Sequence, residues 1–167
     1  MRETINDLLQ TMENENLVVE QILDLAQKKR QVIISGDIKE LDMIIRKESS
    51  MYQSLNKVEA NRYNTQTELA RLFGTTNESL TASDIIERVR PIYSDCADQI
   101  RDKSDVLINN LDQLAYVNHL NKDMINQSLA FVETMEALLV MAGDTTYSSQ
   151  GTVGEIVSRP GILDRKV

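Results

Sequence analysis

The chain has 167 residues, 26 acidic against 18 basic, and a formal net charge of −8 at pH 7. That length fits one domain with a core of its own, and the sign of the charge sets the chain against phosphate backbones and anionic headgroups, so neither nucleic acid nor a membrane surface is an expected partner. Cys96 is the only cysteine, which excludes an internal disulfide and a cysteine-based zinc site.

Two prolines and six glycines leave most of the chain free for regular structure. Met1-Arg2-Glu3-Thr4-Ile5-Asn6-Asp7 has no apolar stretch of the signal-peptide kind. The longest apolar run, from Ala137 to Gly143, falls far short of the roughly 20 residues that span a bilayer. A soluble, cytoplasmic protein without membrane insertion is expected.

A first helix is read from Thr4, whose hydroxyl sits at a capping-box distance from Asp7. Ile5, Leu8, Leu9, Met12, Val19, Ile22, Leu23, Ala26 and Ile33 then recur at helical spacing. Ser35-Gly36-Asp37 ends it, with Gly36 suited to the left-handed closing conformation and Asp37 to capping the next helix. The second helix carries Leu41, Ile44, Ile45, Met51, Leu55, Val58, Leu69 and Leu72, with a polar middle from Asn61 to Thr67. After a loop at Gly74-Thr75-Thr76-Asn77, a short helix from Ser79 to Arg90 is expected, capped by Ser83, and Pro91 is expected in the first turn of the next helix.

That last helix has the longest pattern. Tyr93, Cys96, Ile100, Lys103, Leu107, Leu111, Leu114, Asn118, Asn121, Ile125, Ser128, Val132, Met135, Leu139 and Ala142 follow one another three or four apart, with one slip near Leu111. A helix of that span extends roughly 75 Å at 1.5 Å per residue, and it needs helices of comparable length beside it. The fold class is all-α: an elongated antiparallel helical bundle of three long helices plus one short helix over residues 1–142, with a flexible tail over 143–167.

Chemistry for an enzyme is missing. The sequence has no glycine-rich phosphate loop, and Cys96 and His119 lie roughly 35 Å apart along one helix. No cofactor, metal ligand set or catalytic residue is expected. Phosphotransfer through His119 is the one catalytic alternative, and the run His119-Leu120-Asn121-Lys122-Asp123 places an acid where such domains carry a small residue. Asn118 and Asn121 occupy consecutive seam positions, where a polar residue sets helix register at some cost in stability. They are read as a structural polar seam.

The tail carries Val153, Ile156, Val157, Ile162 and Leu163 among glycines, serines and a proline. Burying five such side chains contributes roughly 10 kcal/mol gross. Ordering about ten residues costs a similar amount. Such a segment binds weakly by itself and needs a helical surface beside it.

The run from Asn118 to Leu129, Asn-His-Leu-Asn-Lys-Asp-Met-Ile-Asn-Gln-Ser-Leu, resembles the FlgN-like family of flagellar export chaperones for hook–filament junction proteins, which carries Asn-x-x-Asn, an apolar pair and Ser-Leu on its long last helix. Tyr147-Ser148-Ser149-Gln150-Gly151 is similar to the family's Tyr-Gly-x-x-Gly with Ser148 in place of the first glycine. Gly36-Asp37, Leu41 and Val58-Glu59-Ala60-Asn61-Arg62 are similar to its first hairpin. The resemblance implies a non-enzymatic chaperone that binds the C-terminal helical segment of the first and third hook-associated proteins, prevents premature assembly and delivers them to the export gate of the flagellar type III apparatus. It implies export-gate docking at Tyr147, and the client-binding residues are then expected at Val153, Ile156, Val157, Ile162 and Leu163. The alternative from a different class is a generic coiled-coil scaffold or adaptor, whose seam serves self-association.

Overall fold

The computed structural model describes residues 1–76 and 80–145. Among them are four helices and no strand: α1 (Arg2–Ser35), α2 (Ile38–Leu72), α3 (Ala82–Val89) and α4 (Ser94–Thr145). The chain divides into two compact units, Met1–Gln127 and a second that begins at Ser128 within α4.

In the first unit the hairpin between α1 and α2 closes as the residue types dictate. Gly36 takes φ 72° and ends α1, with its N–H donating to the carbonyls of Val32 and Ile33. The Asp37 carboxylate accepts from the Glu40 amide at 3.0 Å and starts α2. Three local expectations are corrected. Thr4 is not a cap: α1 starts at Arg2, and Thr4 lies inside the helix and buried. The short helix is capped by Thr81, not Ser83. Thr81 and Asp84 form a reciprocal capping box, and the apolar residues on either side of it, Leu80 and Ile85, enter the same core cluster. Pro91 lies in the turn that ends α3, and the last helix starts at Ser94.

The core consists of two apolar clusters. One gathers Ile5, Leu8, Leu9 and Met12 of α1, Leu69 and Ala70 of α2, Ile85 and Val89 of α3, and Cys96, Ala97 and Ile100 of α4. The other joins Ile22, Leu23 and Ala26 of α1 to Leu114 of α4, with Val18, Met51, Leu55 and Val117 packed around them. The order of contacts along each helix makes α2 antiparallel to α1, and the first part of α4 antiparallel to α2.

A polar layer separates the two clusters and crosses all three long helices. On α1, Glu15 is buried with its Oε2 2.8 Å from Nε of Arg62 on α2, although neither atom is aligned for a hydrogen bond. Beside it, Asn16 Nδ2 donates to the Lys103 carbonyl of α4 at 3.0 Å, and Lys103 pairs with Glu13. Arg62 also donates to Gln66, which in turn donates to the Leu80 carbonyl at 2.6 Å. The polar middle of α2 therefore stays helical because its side chains have partners on facing elements, as buried polar groups require. Nearer the hairpin, Lys29 Nζ donates to both carboxylate oxygens of Glu48 at 2.8 and 2.7 Å.

Candidate partner-binding surface

The inward face of α4 ends within the expected seam. Cys96, Ile100 and Leu114 are buried, Asn121 is 2% exposed, and Asn118 and Ile125 are half-buried. The Asn121 Nδ2 donates to the Ala26 carbonyl at 2.8 Å, while its Oδ1 meets no partner among the described residues. From Asn126 to Met141 every residue is exposed. Ser128, Val132, Met135 and Leu139, four positions of the expected core stripe, are thus surface residues.

That outcome identifies the feature the sequence pattern did not separate from a core. In the second unit Phe131, Val132, Met135, Leu138 and Leu139 are 65, 50, 42, 55 and 68% exposed. Their spacing of i, i+1, i+4, i+7 and i+8 places them along one stripe of the helix. Leu129, Val140 and Met141 extend the apolar character around it. Exposed apolar surface of this extent on one helix is a mark of an interaction site. Helix lengths held the signal: α4 has 52 residues against 34 and 35 for α1 and α2, so a third of it has no counterpart of matching length.

The remaining candidates fall elsewhere. Tyr147, Val153, Ile156, Val157, Ile162 and Leu163 lie outside the described residues. His119 is exposed, and its Nε2 sits 3.4 Å from the Asp123 carboxylate on the next turn. Cys96 is buried in the first core cluster, and that burial, followed by the charge of Asp95, pushes its thiol up from the ordinary 9.0. A thiol so placed is a packing residue and a poor nucleophile at neutral pH. Among the described residues no group of three His, Cys, Asp or Glu side chains is placed to hold a metal ion. No helix among them is long and apolar enough to cross a membrane.

Among the described residues, the exposed apolar stripe of α4 is the feature that suits contact with another protein. The family model described as FlgN protein matches residues 1–155. The chain belongs to the FlgN family. The match spans both units and takes in Asn118, Asn121, the α4 stripe, Tyr147 and Val153. No curated protein and no solved structure matches the chain. Membership gives this FlgN-family chain the general role of a flagellar export chaperone, a family without enzymatic activity that acts on flagellar hook-associated proteins.

Proposed function

We propose that this FlgN-family protein works in the cytoplasm as a type III export chaperone that binds the C-terminal helical segment of the first and third hook-associated proteins, keeps them from assembling early and delivers them to the export gate. The exposed stripe on α4 is the observation that carries this reading. A client helix laid along Phe131, Val132, Met135, Leu138 and Leu139 removes five large apolar side chains from water, roughly 2 kcal/mol for each one fully covered. Because that stretch of α4 is already helical, the chaperone does not lose backbone entropy there when it binds, a saving of about 1 kcal/mol per residue relative to an unfolded segment.

Val153, Ile156, Val157, Ile162 and Leu163 extend the client contact, and Tyr147 docks at the export gate. The family match, which reaches residue 155, supports the assignment of Tyr147 and takes in Val153. Ile156, Val157, Ile162 and Leu163 lie beyond it and rest on the apolar spacing of the segment alone. Ser148 stands where the family's docking motif has its first glycine.

Calorimetric titration of the full chain with a peptide from the C-terminus of a hook-associated protein tests the reading. Binding is expected, and a chain ending at Gly143 should bind about tenfold more weakly with unchanged helicity. A full chain that does not bind the peptide overturns the client assignment. Equal binding by the two chains removes the role given to the residues after Gly143.

A further inference from the structure

The chain is acidic, but its charge is segregated. Six of its 18 basic residues lie between Lys28 and Lys47, around the α1–α2 turn: Lys28, Lys29, Arg30, Lys39, Arg46 and Lys47. Lys29 is held by Glu48 and Arg46 by Asp42. Lys28, Arg30, Lys39 and Lys47 are exposed and form no ion pair among the described residues. The same turn exposes Ile34 at 69%, Ile38 at 79% and Met43 at 62%. Helical spacing places Arg30 one turn from Ile34, and Met43 one turn from both Lys39 and Lys47, so cations flank the apolar residues.

The α4 stripe has the opposite charge. No Lys or Arg occurs from Ser128 to Met141, and Glu133 and Glu136 are both exposed there. Glu136 lies one turn from Val132 and so borders the stripe. One chain thus presents two exposed apolar patches, one bordered by cations and one by carboxylates.

We infer that the occupant of the basic α1–α2 turn is the acidic α4 stripe of a second copy of this chain. A bilayer fits the turn less well, because an extended anionic surface meets the net charge of −8 of the whole chain, whereas one narrow helix stripe meets the local cations. A single turn-to-stripe contact is small beside the roughly 1,200–2,000 Å² of a stable interface. In a two-fold pair the contact forms twice, once in each direction, which closes the assembly and doubles the buried surface. The second copy uses the face proposed for clients, so pairing shields that face until a client displaces it. This consequence rests on the client reading, whereas the pairing itself is measured without any client, and the two can fail separately.

Sedimentation velocity of the full chain over a range of concentrations, at low and at high salt, reads the pairing. A salt-sensitive dimer is expected. Lys39→Glu with Lys47→Glu, and separately Glu133→Lys with Glu136→Lys, should each raise the dimer dissociation constant about tenfold. The four substitutions combined should return it to within about threefold of the parent, because the same charges then meet with signs exchanged. All four positions are exposed, so circular dichroism should show helicity unchanged. A chain that stays monomeric throughout, including one that floats with phosphatidylglycerol vesicles, overturns the inference. So does a dimer indifferent to either reversal, or one that the combined variant fails to restore.

Discussion

The amide of Asn121 donates to the Ala26 carbonyl at 2.8 Å and ties α4 to α1 at the last position of α4 that is buried among those described. Its Oδ1 is left without a partner among the described residues. The side chain is half satisfied, a state that costs stability. Asn121→Asp keeps the shape and replaces the donor with a carboxylate facing a carbonyl. It should lower unfolding free energy by roughly 3 kcal/mol at neutral pH, with most of the loss recovered at about pH 4, where the carboxyl is protonated and can donate. Urea denaturation at the two pH values checks this. A loss that does not depend on pH would mean that the Ala26 contact does not depend on the donor.

The pair Lys29–Glu48 makes a different claim. Both side chains are mostly covered, and the ammonium reaches both carboxylate oxygens. Removing one partner leaves a covered charge, so Lys29→Met alone should cost about 2 kcal/mol in chemical denaturation. Lys29→Met with Glu48→Leu should lie within about 1 kcal/mol of the parent, because the desolvation cost is removed with the attraction. Two single losses that simply add would show that the two groups do not interact.

Glu15 gives the polar layer a pH dependence. Burial raises its carboxyl above the ordinary 4.5, the Arg62 charge works in the opposite direction, and Glu59 adds to the rise. The folded chain therefore holds this proton more tightly than the unfolded chain. Stability from the group is fully present below the ordinary value and is lost as pH rises through the folded one. Glu15→Gln lacks that loss. The difference in unfolding free energy between variant and parent should move in the variant's favour from about pH 4 to about pH 7. Movement toward the parent would show that the Arg62 attraction outweighs burial.

The α1–α2 hairpin was legible because glycine and aspartate carry local instructions that need no tertiary context, and both Gly36 and Asp37 follow them. The short helix could have been read better. Thr81-x-x-Asp84 has the three-residue spacing of a capping box, whereas Ser83 and Glu87 are four apart. Thr4 shows the limit of such rules: a hydroxyl with an acid three residues on offers a cap, but continued helix lets Thr4 be buried.

The site was less legible than the fold. Hydrophobic periodicity reports that a helix has an apolar face and is silent on whether anything covers it. Val132 and Met135 therefore read like Ile100 and Leu114, although the first two are exposed and the others buried. Arg62 poses the reverse difficulty. Nothing local distinguishes an arginine that will pair with a buried glutamate from one that faces water, and its partner Glu15 is 47 residues away in the sequence.

Leu138 and Leu139 separate surface work from structural work most directly. At 55 and 68% exposure they contribute little to the folded state, so Leu138→Asp and Leu139→Asp should each change unfolding free energy by no more than about 0.5 kcal/mol. Leu114, 6% exposed in the second core cluster, is the control: Leu114→Asp should lower it by several kcal/mol, roughly 3 or more. If α4 holds clients along its stripe, each of the two exposed substitutions should weaken binding of a hook-associated C-terminal peptide by about tenfold, the scale expected when an apolar anchor is replaced by a charge. Thermal unfolding and titration calorimetry on the same samples give both readouts. Unchanged affinity in both variants would move the client contact away from this stripe, toward the residues after Gly143. A large loss of stability in either would show that the stripe is covered in the native protein, by its own core if the loss is independent of protein concentration and by a second copy if it is not.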